Sequence, residues 1–395
     1  MTRRTTGFVV LAVGIVLVAA SCSSDKTAAP SSTSTAEGAR IGGSSPGSLV
    51  SAENLTDLDP RLADVGVRAA KITYRSTNSD TGQPTVVSGT VFVPDGDAPK
   101  EGWRIVSLGH GSTGINTACA PSATTELGGQ RDLIASLVQT GVAVTMADYE
   151  GLGAPGPHPY LAARTAGLNV IDAVRAARSV FDGISTTWAA VGGSQGGGAV
   201  WAADEEAGFY APELQLVGAV ALVPAADVSG LVDRAVARTL SVDQRAAFQW
   251  FLASAARLHP DLVLDDFRRG AAAANWDLLS SCDEDSGRDP SIIGIDDLTP
   301  ATPQAAAIAK RILTAWALPQ GPLTAPLLVA YGGKDSFIDP QWTTAALARA
   351  CREGGSIQAR FDPEGTHASV RVDDLVAWLA DRFTGKPATS DCPAG

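Results

Sequence analysis

Residues 187–200 read TWAAVGGSQGGGAV. An apolar, strand-like run over 187–193 gives way at Ser194 to a helical pattern over 195–207, and five glycines crowd the junction. Glycine weakens strand and helix interiors alike, so its concentration here requires a steric reason. GGSQG (192–196) fits G-x-S-x-G between a strand and a helix, the context of a nucleophile elbow. A sharp turn would hold Ser194 in a strained conformation with its hydroxyl projected into a cleft. Gly192 and Gly196 would let strand and helix approach, and Gly197 and Gly198 would extend that clearance. The backbone N–H of Gln195, at the helix start, would face the point where negative charge develops.

Working outward, short strand-like runs recur at 104–109, 142–148, 216–224, 326–333 and 356–361, with an extended arm at 84–94. Helical patterns lie between them at 129–140, 160–181, 340–353 and 370–383. Such alternation predicts an α/β fold with a mostly parallel sheet covered on both faces. From 225 to 323 only Ala-rich helical pattern appears, as in VDQRAAFQWFLASAARL (242–258). A hundred residues is too long for a loop. It reads as an inserted helical cap over the C-terminal edge of the sheet, where open α/β folds bind ligands. The expected organisation is a core over 49–224, the cap over 225–323 and the rest of the core over 324–395. Apolar residues nearly all round the 248–258 segment, among them Phe248, Trp250, Phe251, Leu252 and Leu258, suit either a buried helix or one lining an acyl tunnel.

A serine hydroxyl needs a base, and the base an orienting acid, in the chain order Ser, acid, His. Of the four histidines, His110 and His158 precede Ser194 and His259 lies in the predicted cap. His367, in the loop DPEGTHASV after the last strand, is the expected base. For the acid, PLLVAYGGKDSFIDP offers Asp335 directly after a strand and two glycines. Asp339, just before Pro340, reads as a helix N-cap, and Asp362 is a remote third candidate. A second oxyanion donor is expected from SLGHGSTG (107–114), on the backbone N–H of Ser112 or Thr113. The three prolines of PGPHPY (155–160) suit a rigid bend near the cleft mouth, with no catalytic task for His158.

The first residues read as an address. Arg3 and Arg4 precede an apolar run from Phe8 to Ala20, too short to span a membrane but suited to a signal peptide over 1–21. LVAASC resembles a lipobox in which Cys22 would carry lipid, giving membrane association through the N-terminus. Plain cleavage near Ala20 is the alternative. Residues 22–48, rich in Ser, Thr, Ala, Gly and Pro, read as a disordered tether. Without Cys22 four cysteines remain, Cys119, Cys282, Cys351 and Cys392, an even number that allows three disulfide pairings. The absence of a CxxC spacing argues against a metal site. The net charge of −12, with scattered Lys and Arg, argues against nucleic acid as a partner.

ADYEGLGAPGPHPYL (147–161), the GGSQGG elbow and CAPS (119–122) together resemble the secretory lipase family over about residues 50–393. The resemblance implies an α/β-hydrolase core, a helical lid, no cofactor and hydrolysis of carboxylic esters including triacylglycerols; the expected partner is a small-molecule or lipid ester, and the expected state a monomer. It implies a triad of Ser194, Asp335 and His367, an oxyanion site at Thr113 and Gln195, and the pairings Cys119–Cys282 and Cys351–Cys392. Two positions depart from it: Gly193 stands where an aromatic is common, and Thr113 where an acidic side chain occurs. The same three residues would also serve a peptidase or an envelope acyltransferase, and a lipid-binding lipoprotein would need none of them.

Overall fold

The computed structural model describes residues 35–393. Strands β1 (Leu49–Asn54), β2 (Val67–Thr77), β3 (Pro84–Pro94), β4 (Trp103–Gly109), β5 (Ala143–Ala147), β6 (Ile184–Gly193), β7 (Gln215–Leu222), β8 (Leu327–Gly332) and β9 (Ile357–Asp362) form one sheet. Its order is β1-β2-β3-β5-β4-β6-β7-β8-β9. The first three strands join antiparallel, β3 pairs antiparallel with β5, and every pairing from β5 to β9 is parallel. The mostly parallel α/β sheet expected from strand–helix alternation is therefore borne out. The 84–94 arm is a full strand between β2 and β5, and β1 and β2 are additions. β2 carries a period-two signal, with Ile72, Tyr74 and Ser76 buried between the outward Lys71, Thr73 and Arg75.

The helices follow as α1 (Pro60–Asp64), α2 (Arg131–Gln139), α3 (Ala163–Val180), α4 (Gln195–Tyr210), α5 (Gly230–Ala237), α6 (Val242–Leu258), α7 (Gly270–Ala274), α8 (Trp276–Leu279), α9 (Pro303–Trp316), α10 (Pro340–Arg352) and α11 (Leu375–Phe383). Successive strand residues feed opposite layers. Ile105, Leu327 and Val329 pack with Val170 of α3, Val200 of α4 and Ala346 of α10. Val106, Leu328 and Ala330 pack with Ile134 of α2 and Leu379 of α11. Helix α4 is buried nearly all round from Gln195 to Asp204, because α3 crosses it at Gly167, where a Cβ would stand 2.7 Å from Ala203 N.

Between β7 and β8 the chain carries only helices, α5 to α9, and these enclose an apolar cluster of their own. Phe248, Phe251 and Leu252 point into that cluster with Phe267, Leu279 and Trp316. The cap is tied to the core by the Cys119–Cys282 disulfide, by Asn116 Nδ2 donating to Ser280 O (2.8 Å), and by Arg257 donating to Ile115 O (2.9 Å). Cys351 pairs with Cys392, which fixes the C-terminal tail beside β9.

The tether over 22–48 is corrected in its second half. Thr35 bridges Glu53, the Ala36 N–H donates to Ala52 O (3.0 Å), and the Arg40 N–H donates to Ser179 O (2.8 Å). Ala36 is 2% exposed. Residues 35–48 lack a side-chain signal for burial, yet their backbone supplies partners to the edge strand β1 and to α3, and polar composition does not forbid that. The signal peptide, Cys22 and the first part of the tether lie outside the described residues. No helix among the described residues is long and apolar enough to cross a membrane.

Candidate active site

The β6–α4 junction is an elbow. Ser194 has φ 58° and ψ −119°, a sparsely populated conformation for a side-chain-bearing residue that typically costs about 1–3 kcal/mol. The surrounding backbone holds it there. The Ser194 N–H donates to Leu222 O (2.9 Å), and its carbonyl accepts from Gly198 N (3.1 Å) and Ala225 N (3.0 Å). The glycine cluster is explained by close backbone approach. A Cβ at Gly192 would lie 2.2 Å from Gly196 O, and one at Gly196 would lie 2.0 Å from Gly109 O at the end of β4.

Ser194 Oγ lies 3.0 Å from His367 Nε2, and His367 Nδ1 lies 2.8 Å from Asp335 Oδ2. Asp335 Oδ1 accepts the N–H groups of Phe337 (2.8 Å) and Ile338 (2.9 Å), so both its oxygens are engaged and its orientation is fixed. With Nδ1–H donating to the carboxylate, Nε2 is free to accept the serine proton. The structure thus brings together the three side chains singled out from sequence. Asp339 instead caps α10, accepting from Gln341 N (3.0 Å) and from Arg234, and Asp362 accepts from Glu364 N (3.0 Å). His259 closes α6 and faces Asp80 at 3.2 Å.

Ser194 and His367 line a cavity of about 410 Å³, within the range of small-molecule sites. Its walls include Ser112, Tyr160, Leu161, Ala246, Ala247, Trp250, Arg288 and Phe337. Of the aromatic and aliphatic residues of α6 offered as tunnel lining, Trp250 faces the cavity. The others turn into the cap, and the lining face is set by Ala246, Ala247 and Trp250 at helical spacing. In the 110–113 loop, where a second oxyanion donor is expected, Ser112 reaches the cavity and its hydroxyl bonds Tyr160 (2.8 Å). Thr113 is not among the lining residues, and its Oγ1 is buried without a hydrogen-bond partner.

Residues the sequence left aside buttress the site. Gln195 Nε2 donates to His158 Nε2 (3.0 Å), and His158 Nδ1–H donates to Glu150 O (2.7 Å). Burial pushes the His158 pKa down to about 3, which keeps Nε2 free to accept. Tyr149, φ 73°, donates its hydroxyl to His110 O (3.0 Å) at the start of the 110–113 loop. Asp148 is fully buried and accepts from Ser88 Oγ (2.6 Å) and Ser122 N (2.9 Å). The 147–161 run therefore supports the residue after Ser194 and the 110–113 loop together. Among the described residues no cluster of three His, Cys, Asp or Glu side chains could hold a metal ion.

A mostly parallel sheet with a serine elbow after the interior strand β6 and a helical insertion before β8 defines the α/β-hydrolase fold. The secretory lipase family is the particular branch it resembles: that family's model matches residues 118–264. A probable inactive lipase of Mycobacterium tuberculosis (strain CDC 1551 / Oshkosh) is 29% identical over 364 residues, covering 85% of this chain and 79% of that protein. Lipase A of Arthroderma benhamiae (strain ATCC MYA-4681 / CBS 112371) is 27% identical over 375 residues, covering 84% and 74%. The crystal structure of Candida antarctica lipase A in its closed state superposes with a TM-score of 0.70 over 88% of this chain and 84% of that one, at 16% identity. The similarity to secretory lipases expected from the sequence is borne out, and these relatives support a hydrolase of the lipase or esterase class.

Proposed function

We propose that this protein is an exported serine carboxylic-ester hydrolase of lipase type, cleaving triacylglycerol-like esters through an acyl-enzyme. One observation carries the reading: Ser194 Oγ, His367 and Asp335 stand in a hydrogen-bond sequence of 3.0 and 2.8 Å beside a largely apolar cavity. Ser194 Oγ attacks the ester carbonyl while His367 Nε2 takes its proton. The oxyanion is met by backbone N–H groups of Gln195 and of the 112–113 segment. His367 then returns the proton to the departing alcohol, and a water, deprotonated by the same imidazole, releases the acid and restores Ser194. Asp335 holds the imidazole tautomer and balances its transient charge. Two disulfides suit an oxidising compartment, and the apolar leader with Cys22 suits export and lipid anchoring.

The mycobacterial relative is a probable inactive lipase, and a second reading is accordingly a protein of the same fold without turnover, for which the cavity would serve only to hold lipid. Hydrolysis of p-nitrophenyl esters of rising chain length, with Ser194→Ala as control, separates the two. Steady turnover abolished in the variant supports the hydrolase, and lipid retention with no turnover by either protein overturns it. A new ester formed on adding an alcohol would mark a transferase.

A further inference from the structure

One wall of the cavity carries a cation that forms no ion pair with a carboxylate among the described residues. Arg288 lines the cavity; its Nε donates to Leu279 O (2.8 Å) and its guanidinium lies 4.4 Å from the Trp250 ring centroid. Among the described residues no Asp or Glu oxygen forms an ion pair with it. Partial burial draws its pKa down from the ordinary arginine value, opposed only by the nearby Tyr160 hydroxyl. A guanidinium nonetheless remains charged, so this is a half-desolvated cation awaiting a counter-charge. The cavity's acidic side chain, Asp243, lies seven residues before Trp250, about 10 Å away along α6 at 1.5 Å per residue, and its carboxylate is engaged by the Ser336 hydroxyl.

The geometry points to Arg288 as a specificity determinant that selects esters carrying a second, ionised carboxylate on a short chain, such as hemi-esters of dicarboxylic acids. This rests on the serine ester-hydrolase reading above and shifts its preferred substrate from neutral glycerides to anionic esters. Trp250 holds the guanidinium plane, Tyr160 packs edge-on against Trp250 at 5.8 Å, and Tyr160 is bonded to Ser112 beside the oxyanion loop. The charged end of a substrate seated on Arg288 would therefore lie on the oxyanion-loop side of the cavity, with its ester directed towards Ser194. A single guanidinium offers parallel N–H donors that match one carboxylate in number and charge.

The test compares p-nitrophenyl butyrate with the p-nitrophenyl hemi-ester of glutarate, on wild type, Arg288→Met and Arg288→Lys. The ratio of kcat/KM for the anionic over the neutral ester is expected to fall about 10-fold or more in Arg288→Met and by clearly less in Arg288→Lys, which keeps the charge but not the paired donors. An unchanged ratio in Arg288→Met overturns the proposal, as does an equal fall in both variants, which would mark a packing role. Binding separates this idea from the hydrolase reading. In a Ser194→Ala background, monomethyl glutarate should bind about 10-fold more weakly, by calorimetry, when Arg288→Met is added. If neither ester is cleaved but this difference appears, the hydrolase reading fails and the anion site stands; equal binding overturns the site whatever the turnover.

Discussion

Adding one methyl group at Gly196 should be far more costly than adding one at Gly193, and the structure gives the size of each. Gly196 sits in the first turn of α4, where helix propensity alone favours alanine by about 1 kcal/mol. Its Cβ, however, would stand 2.0 Å from Gly109 O, 2.3 Å from Gly109 C and 2.7 Å from His110 O. Ordinary contact begins near 3.4 Å, so either α4 or the end of β4 must retreat by about 1.4 Å. Neither has slack: Gly109 is registered against both Ala147 and Gly192, and α4 is buried against α3. Overpacking of this kind costs about 1–3 kcal/mol even where side chains can yield, and here the obstacle is backbone. We expect Gly196→Ala to lose about 3 kcal/mol or more in urea unfolding. Surviving protein should lose about 100-fold in ester turnover, since the same shift separates Ser194 from the 110–113 loop. At Gly193 the nearest atom to a Cβ is Leu222 O at 4.0 Å, so Gly193→Ala should fold within about 1 kcal/mol of wild type. Equal stability of the two variants, or a stabilised Gly196→Ala, would refute the steric account of the elbow.

Asp335→Asn keeps the shape of the side chain but removes the charge that balances the imidazolium, and should lower kcat about 10⁴-fold without unfolding the chain; a loss under tenfold in steady-state kinetics would argue against its assigned role. Replacing Cys351 and Cys392 together by alanine removes a cross-link between residues 41 apart, expected to cost about 4 kcal/mol by loop entropy in denaturant titrations. Asp204 accepts from Thr324 N (3.0 Å) and Ala325 N (2.8 Å) through Oδ1 while Oδ2 is buried unpartnered, and burial raises its pKa to about 8. Between the unfolded value near 4 and that value, the folded state holds a proton the unfolded chain has lost. Stability should therefore be full at acid pH and fall by about 1.4 kcal/mol per unit as pH rises through this window. Asp204→Asn should flatten that slope in unfolding curves taken from pH 5 to 8; an unaltered slope would show that Asp204 does not titrate there.

What could be read from sequence divides along a physical line. Ser194 and Asp335 were legible because each closely follows a buried strand, β6 and β8, and His367 because it stands in the loop after the last strand, where chain order limits which side chains can meet. The glycines announced a close approach, although the partner they admit, Gly109 on β4, is 87 residues away in the chain and visible only once β4 and β6 are paired. The antiparallel start of the sheet was hidden for the opposite reason. β1 and β2 carry charge on one face, and a search for continuous apolar runs passes over strands that signal burial by alternation. Residues 35–48 were read as tether because their contacts to β1 and α3 are made by backbone, which composition does not report.

The cavity wall was the least legible part, and α6 shows why. Its apolar residues surround the helix, so neither periodicity nor hydropathy states which side faces substrate. The bulky Phe248, Phe251 and Leu252 go where volume must be filled, into the cap, and α6 gives the cavity Trp250 beside the small Ala246 and Ala247. Space along this helix is made by the two alanines, which a search for large apolar side chains passes over. Arg288 escaped for a related reason: nothing near it in the sequence separates a cation paired on the surface from one turned inward over Trp250. Only the fold, by seating it on that ring away from the described carboxylates, makes its charge available to a ligand.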